Sequence, residues 1–506
     1  MARILNVGWP TPIELRRRTV PILRRDGRHK RYPGDDHDRR WRERVFPENY
    51  LNPEPRRKYH LVVIGAGPAG LVASIAAAGL GARVALVERK AMGGDCLNVG
   101  CVPSKSLLEF TRRNPNAGFD EAFAWLRRVR SEIAAHDSVE RYVRSGVDVF
   151  LGPARFAGRN SVQVGEQRLA ARRFLIATGA RAELPRIPGL QDCDALTNES
   201  FFDLAERPGC LAVLGAGPVG CELAQGMARL GIDVHLIEMA GRVLPGAIAP
   251  ASAAVATALE SDGVKLHLGA KVSRISLQGG RPTVHAPGAT VTADRLLVAA
   301  GRRANVEGLN LAAAGVELRG GLIAVDDKLR TTNRRIYAAG DVCSALPFTH
   351  NADAQARIVV RNALFAPTAS TRSLVVPQCT YTDPEVAQVG RTQAQLAEDG
   401  VAFDCYRLNF GELDRARTAG EEDGFVELLT AGGSDRILGA TIVGHDAGEQ
   451  IAPLCMAMAN GLGLGDAGKA VLPYPTRAEY LRRLADQYAR TRLTPRAAGL
   501  LKSWFR

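Results

Sequence analysis

Nowhere in the 506 residues does an uninterrupted apolar run approach the ~18 residues that a membrane-spanning helix needs. Cysteine is sparse: nine are scattered along a long chain, whereas secreted disulfide scaffolds are short and cysteine-dense. The expected location is therefore a reducing cytoplasm. The N-terminus lacks the apolar core of a secretory signal. It is rich in arginine, but eight acidic residues within positions 1–58 argue against a mitochondrial transit peptide. Nor is there the shortage of apolar residues that marks a disordered chain: 46% are hydrophobic and 24% charged.

The body of the chain also lacks charge of one sign. The formal net charge is +13, of which residues 1–58 carry +8 and residues 480–506 carry +6. What lies between is close to neutral. Basic ends on a neutral body do not mark a nucleic-acid binder, and no nucleic-acid-binding motif accompanies them. Glycine, by contrast, is plentiful at 52 residues, which predicts many tight turns and close backbone approaches. The length predicts roughly three domains at ~150 residues each.

Residues 1–58 show no lasting periodicity and read as a basic N-terminal extension, irregular or packed on a larger body. Order begins at Leu61-Val62-Val63-Ile64, a short apolar run of the kind that forms a buried parallel strand. A glycine turn, an alanine-rich helical stretch to Gly79 and a second strand at Arg83–Val87 complete a βαβ unit. The pattern recurs at Leu211–Leu214, with a helical stretch to Leu230 and a strand at Val234–Ile237. Further strands at Phe174–Gly179, Arg295–Gly301 and Ile336–Asp341 end in small-residue turns. From about residue 370 the texture changes to alternating and helical segments, which reads as a third domain.

Gly65-Ala66-Gly67-Pro68-Ala69-Gly70 fits the G-x-G-x-x-G pattern between a strand and a helix. Its glycines permit the tight turn, the approach of backbone to a pyrophosphate and close helix packing. Glu88 lies 23 residues after Gly65 at the end of the second strand, where a carboxylate accepts ribose hydroxyls. Gly215, Gly217 and Gly220 repeat the signature, with Glu238 again 23 residues on. A carboxylate there favours NAD over NADP, although Arg242 stands close by.

Between the two turns, Cys96 and Cys101 are five positions apart in Gly93-Gly94-Asp95-Cys96-Leu97-Asn98-Val99-Gly100-Cys101-Val102-Pro103-Ser104-Lys105. A zinc half-site lacks a second Cys/His pair nearby. Two inert thiols or a redox pair at a helix N-terminus remain as readings. An ideal helix rises ~7.5 Å over five residues, and a disulfide needs Cα atoms within ~7 Å. If the two thiols pair, Cys96 sits in the lead-in or the helix is distorted.

This arrangement resembles the flavoprotein disulfide reductases, the class that includes dihydrolipoyl dehydrogenase, glutathione reductase and mercuric reductase, over about residues 59–490. Gly340-Asp341 is similar to the second flavin-contacting motif of that class, and Thr382-Asp383-Pro384-Glu385 with Gly390 to the start of its dimerisation domain. The resemblance implies an α/β fold with two Rossmann-like dinucleotide-binding domains and a C-terminal α+β dimerisation domain. An FAD-binding domain would span 59–180 and 296–369, an NAD(P)-binding domain 181–295 and a dimerisation domain 370–490, with a basic tail at 491–506. FAD would occupy the first fingerprint, with Gly179, Gly301, Asp341 and His350 among the cofactor-binding positions, and NAD(P)H the second, NADH favoured.

The resemblance further implies a Cys96–Cys101 redox disulfide, with Cys101 facing the flavin and Cys96 the exposed thiol that attacks substrate. Lys105 and Glu222 fall where the class places an ion pair beside the flavin. A homodimer would bring Tyr474 and Glu479 to the partner's site. Tyr474 stands where dihydrolipoyl dehydrogenase and glutathione reductase have histidine, and a phenol is a poor base near neutral pH. Mercuric reductase has tyrosine there, but residues 1–58 contain no cysteine and Leu500-Leu501-Lys502-Ser503-Trp504-Phe505-Arg506 contains no cysteine pair.

The expectation is a mercuric-reductase-like enzyme that reduces a small-molecule disulfide or a soft metal ion. Dihydrolipoyl dehydrogenase is the alternative, and a redox sensor at a membrane surface a second. The basic C-terminal segment carries Leu481, Leu484 and Tyr488 and then an aromatic end. Packing of its apolar positions on a partner subunit is preferred to peripheral membrane contact.

Overall fold

The computed structural model describes residues 34–505; the expectations for residues 1–33 lie outside it. The extension is not irregular throughout. Helix α1, Asp36–Val45, is capped by the Asp35 carboxylate, which accepts the Asp38 N–H, and it buries Asp38, Trp41 and Val45. Hence this part of the extension is packed on the body rather than free of it.

The first nucleotide unit follows. Strand β1 (Tyr59–Ile64) leads through Gly65 and Gly67 into helix α2 (Pro68–Gly79) and strand β2 (Val84–Glu88). Beta-branched and leucine residues make β1 and β2 apolar on both faces, as buried parallel strands require. The sheet runs from β3 (Val147–Leu151) through β2 and β1 to Gln167–Ile176, all parallel. Ile336–Ala338 joins the far side of Gln167–Ile176, again parallel. The small face of α2 (Ala69, Ala73 and Ala77) shares a core with Ala352, Ala356 and Ala363 of the helix Thr349–Leu364.

The second unit is a four-stranded parallel sheet ordered Lys265–His267, Asp233–Ile237, Cys210–Leu214, Arg295–Val298. The pairing of Arg295–Val298 with Cys210–Leu214 carries this sheet past the expected boundary at 295. A short antiparallel ribbon pairs Ala180–Ala182, just after Gln167–Ile176 of the first sheet, with Arg302–Ala304, just after Arg295–Val298 of the second.

A five-stranded antiparallel sheet forms the third unit, from Gln378–Thr380 to Phe403–Asn409. The helix Tyr480–Arg492 packs on it and crosses the expected boundary at 490. Leu481 and Leu484 are buried within their own domain and Tyr488 meets Tyr406 edge-on, so these positions are not reserved for a partner. A last helix, Pro495–Trp504, buries none of its residues.

Candidate functional site

Glycine is required at the first turn by geometry. Gly65 has φ +103°, and a Cβ at Gly70 would collide with the Gly65 carbonyl oxygen. Gly67 caps α2 and Pro68 opens it, leaving the helix N-terminus lined by backbone N–H groups. Glu88 is buried at the end of β2. One of its oxygens accepts the Ala66 N–H and the other the Lys90 N–H, both at 2.7 Å. The carboxylate thus braces the turn while retaining further lone pairs for a ribose.

The second turn is built the same way. Gly215 has φ +101°, and Glu238 accepts the Ala216 and Ala240 N–H groups at 2.7 Å each. The Arg242 guanidinium is turned to the Pro245 carbonyl at 2.9 Å.

Past β2 the chain forms helix α3, Gly94–Val99, and then helix α4, Cys101–Arg113. They are separated at Gly100 (φ −140°, ψ −116°). A Cβ on Gly100 would lie 2.8 Å from the Asp95 carbonyl oxygen, so the break needs a residue without one. This is the helix distortion that a disulfide across five residues would require. Cys96 sits inside α3, and Cys101 is the first residue of α4, where the helix dipole favours a thiolate.

The Cys101 thiol is held well below its ordinary value, first by a hydrogen bond from Cys96 and then by the Lys105 ammonium. Cys96 is pushed up, first by that same hydrogen bond and then by burial. Cys101 Sγ also lies 3.6 Å from Thr349 Oγ1. Cys101 opens the N-terminus of α4 onto the cleft, and Cys96 is half-buried in α3.

Lys105 and Glu222 come together across 117 residues, at 2.7 Å. Burial opposes the charge on Lys105, but the Glu222 carboxylate holds its pKa above the usual lysine value. The other Glu222 oxygen accepts the Tyr381 N–H at 3.0 Å, and the Lys105 ammonium lies 4.6 Å from the Tyr381 ring centroid.

A cleft of 2620 Å³ joins these parts. Gly65, Gly67, Glu88 and Gly179 line one stretch of it, and Asp341 and His350 another. Cys96, Cys101, Lys105 and Glu222 line it as well. The second fingerprint opens onto it through Pro218 and Val219; Gly70, Gly215, Gly217, Gly220, Glu238 and Gly301 do not line it. A long cleft with a phosphate-type turn at one point and a paired thiol at another suits an extended dinucleotide whose ring reaches the thiols. The residues present therefore fit FAD.

Tyr474 and Glu479 are not brought to this cleft within their own chain. The Tyr474 hydroxyl donates to Asp414 at 2.7 Å, and Glu479 accepts from Arg483 at 2.9 Å. His350, expected at the flavin, lines the cleft with Nε2 2.7 Å from the Pro377 carbonyl.

Several residues had no signal in the sequence. Arg302 pairs with Asp95 and approaches Asp341 at 3.7 Å, linking the thiol segment to the second flavin motif. Trp41 of α1 lines the cleft and donates to Asn98 Oδ1 at 2.8 Å. The Asn98 amide in turn holds the Met92 and Gly94 carbonyls at 3.0 and 2.7 Å. Arg130 on helix α5 (Phe119–Ile133) stacks on Trp41 at 4.3 Å and pairs with the buried Asp38 at 2.8 Å. The N-terminal helix thereby anchors the thiol-bearing helix. Cys379, a third thiol lining the cleft, is pushed up by burial.

Comparison with known proteins agrees with this construction. The profile of the pyridine nucleotide-disulphide oxidoreductases matches residues 59–356, and that of their dimerisation domain residues 376–485. The chain belongs to the pyridine nucleotide-disulphide oxidoreductases. It is accordingly a flavin-dependent oxidoreductase that uses FAD and NAD(P)H.

A mercuric reductase of Bacillus cereus is 36% identical over 452 residues, covering 85% of this chain and 72% of its own. Dihydrolipoyl dehydrogenase 3 of Haloarcula marismortui is 32% identical over 459 residues, covering 84% and 95%. Among solved structures, the HOCl-induced flavoprotein disulfide reductase RclA from Escherichia coli aligns with a TM-score of 0.78 and 30% identity. That alignment covers 85% of this chain and 99% of RclA.

Proposed function

We propose that this oxidoreductase passes electrons from NAD(P)H, NADH favoured, through the Cys96–Cys101 pair to a small disulfide or a soft metal ion. The observation that carries the proposal is the lowered Cys101 thiol, placed with Cys96, Lys105 and Glu222 on the same cleft. Bound FAD supplies a two-electron relay between the nicotinamide and the disulfide.

The chain's own residues do the rest. The Lys105 ammonium, kept protonated by Glu222, stabilises negative charge in the cleft. The helix N-terminus and Lys105 stabilise the Cys101 thiolate. In the reduced pair, Cys96 attacks a substrate disulfide, its proton leaving with the first substrate sulfur, so that a mixed disulfide forms and one substrate thiol is released. The Cys101 thiolate then attacks Cys96, restoring the protein disulfide and releasing the second substrate thiolate. A soft cation instead binds the two thiolates directly.

Glu238 and the diverted Arg242 support NADH. The likeness to mercuric reductase supports a soft metal ion, and the Tyr474 position argues against the lipoamide alternative. A homodimer is supported by the dimerisation domain and by the exposure of Tyr474 and Val471 upon it. Among the described residues no helix is long and apolar enough to cross a membrane; a cytoplasmic enzyme remains our reading.

An acceptor panel tests the proposal: Hg(II), lipoamide, glutathione disulfide, quinone and oxygen with NADH or NADPH, on the wild type and Cys96→Ser. Acceptors served by the thiols lose at least ~100-fold in the variant, an estimate for loss of a covalent nucleophile. Undiminished reduction of every acceptor would overturn it.

A further inference from the structure

Away from the cleft, the second nucleotide sheet gathers a different set of side chains at the beginning of its strands. Cys210 opens one strand and is the register partner of Asp233, which opens the next. His235 lies two residues on, paired with Lys265, and His267 follows at the end of that third strand. Alternation along parallel, in-register strands puts all five on one face. That face continues as Ala212, Leu214 and Ile237, which are buried in their own core.

The donor atoms of Cys210, Asp233 and His235 all lie within 4.8 Å of one another, the one such trio among the described residues. A tetrahedral zinc ion with bonds of ~2.0–2.3 Å places one sulfur, one nitrogen and one oxygen donor about 3.3–3.6 Å apart. Side-chain rotations of about 1 Å would close the trio on such an ion. Asp233 is already steered onto the face: one oxygen is held by Lys265 at 2.8 Å, and the other lies 3.6 Å from His235 Nε2. Asp294 is committed elsewhere, to the Cys210 N–H and to Arg281, both at 2.9 Å.

A second observation concerns the tautomer. His235 Nδ1 and His267 Nε2 face each other at 2.9 Å. Only one of those nitrogens carries the proton of that bond. When it is His235 Nδ1, His235 Nε2 keeps a bare lone pair, with an Asp233 oxygen at 3.6 Å and the Cys210 donor within the same 4.8 Å cluster. Ligating histidines are held in this way by an acceptor on the far ring nitrogen.

We propose that Cys210, Asp233 and His235 bind a divalent cation of the zinc type, with His267 positioning His235 in the ligating tautomer. Thiolate, imidazole and carboxylate on two neighbouring strands leave one coordination position for water. The ion fastens the leading ends of these strands and takes no part in electron transfer, because none of the four residues lines the cleft.

The test uses the oxidised, FAD-loaded enzyme, in which the redox pair is a disulfide and does not compete for metal. After EDTA treatment and dialysis, ZnCl2 is titrated against a zinc-sensitive dye. The expected result is one zinc per chain, a higher melting temperature with zinc, and at least ~100-fold weaker binding in Cys210→Ser and His235→Ala. His267→Ala should weaken binding by about 10-fold or more. Cobalt(II) should add a thiolate charge-transfer band to the difference spectrum, absent in Cys210→Ser. FAD content and NADH-dependent dye reduction, unchanged in all three variants, show that they fold. Absence of stoichiometric zinc in the wild type, or zinc that persists in Cys210→Ser and His235→Ala, overturns the proposal.

Discussion

At Cys101 five influences meet: Cys96, Lys105 and Thr349 lower the thiol pKa, whereas burial and Glu222 raise it. The signs give a paired prediction. Lys105→Met removes a cation and should raise the Cys101 pKa by about one unit; Glu222→Gln removes an anion and should lower it. The pH dependence of alkylation of the reduced enzyme reads both. The midpoint should move to higher pH in the first variant and to lower pH in the second, and movement in the same direction would contradict the assignment. Trp41 gives a second prediction. Trp41→Phe keeps the ring but loses the hydrogen bond to Asn98, costing about 1 kcal/mol. Thermal unfolding should start a few degrees lower, and thiol-dependent turnover should fall more than dye reduction. Equal loss of both activities would mean that Trp41 supports the fold without positioning the thiol helix.

At the scale of elements, the interruption between α3 and α4 was legible as a conflict between helical rise and disulfide reach, and Gly100 resolves it. The glycine turns were legible because each glycine answers a local steric need. In Gly70→Ala the new methyl group would meet the Gly65 carbonyl. That variant should emerge from purification with little flavin absorbance; full occupancy would refute the role given to the turn. Lys105 and Glu222 stand 117 residues apart, and only the likeness to a known family brought them together. Trp41, Arg302 and Thr349 were illegible because each reaches the site from a separate element, and no spacing in the chain marks such a meeting. The boundary expected at 295 cuts through Arg295–Val298 for a related reason: a short apolar strand fits either sheet, and only the pairing partner decides.

For the molecule as a whole, the three units divide the work: one glycine turn beside the thiols, a second that opens onto the same cleft, and an antiparallel sheet that meets the Lys105–Glu222 pair through Tyr381. The last helix is peripheral to this arrangement, leaving Leu500, Trp504 and Phe505 exposed. Removal of residues 494–506 should leave the melting temperature and NADH-dependent reductase activity as they are; a loss of either would make the helix part of the working enzyme. The most direct measurement of the central claim is an anaerobic addition of one equivalent of NADH to the oxidised enzyme, followed by alkylation and peptide mass mapping. Two newly alkylated cysteines per chain, Cys96 and Cys101, are predicted. NADH oxidised with both sulfurs still joined would contradict electron transfer through this pair.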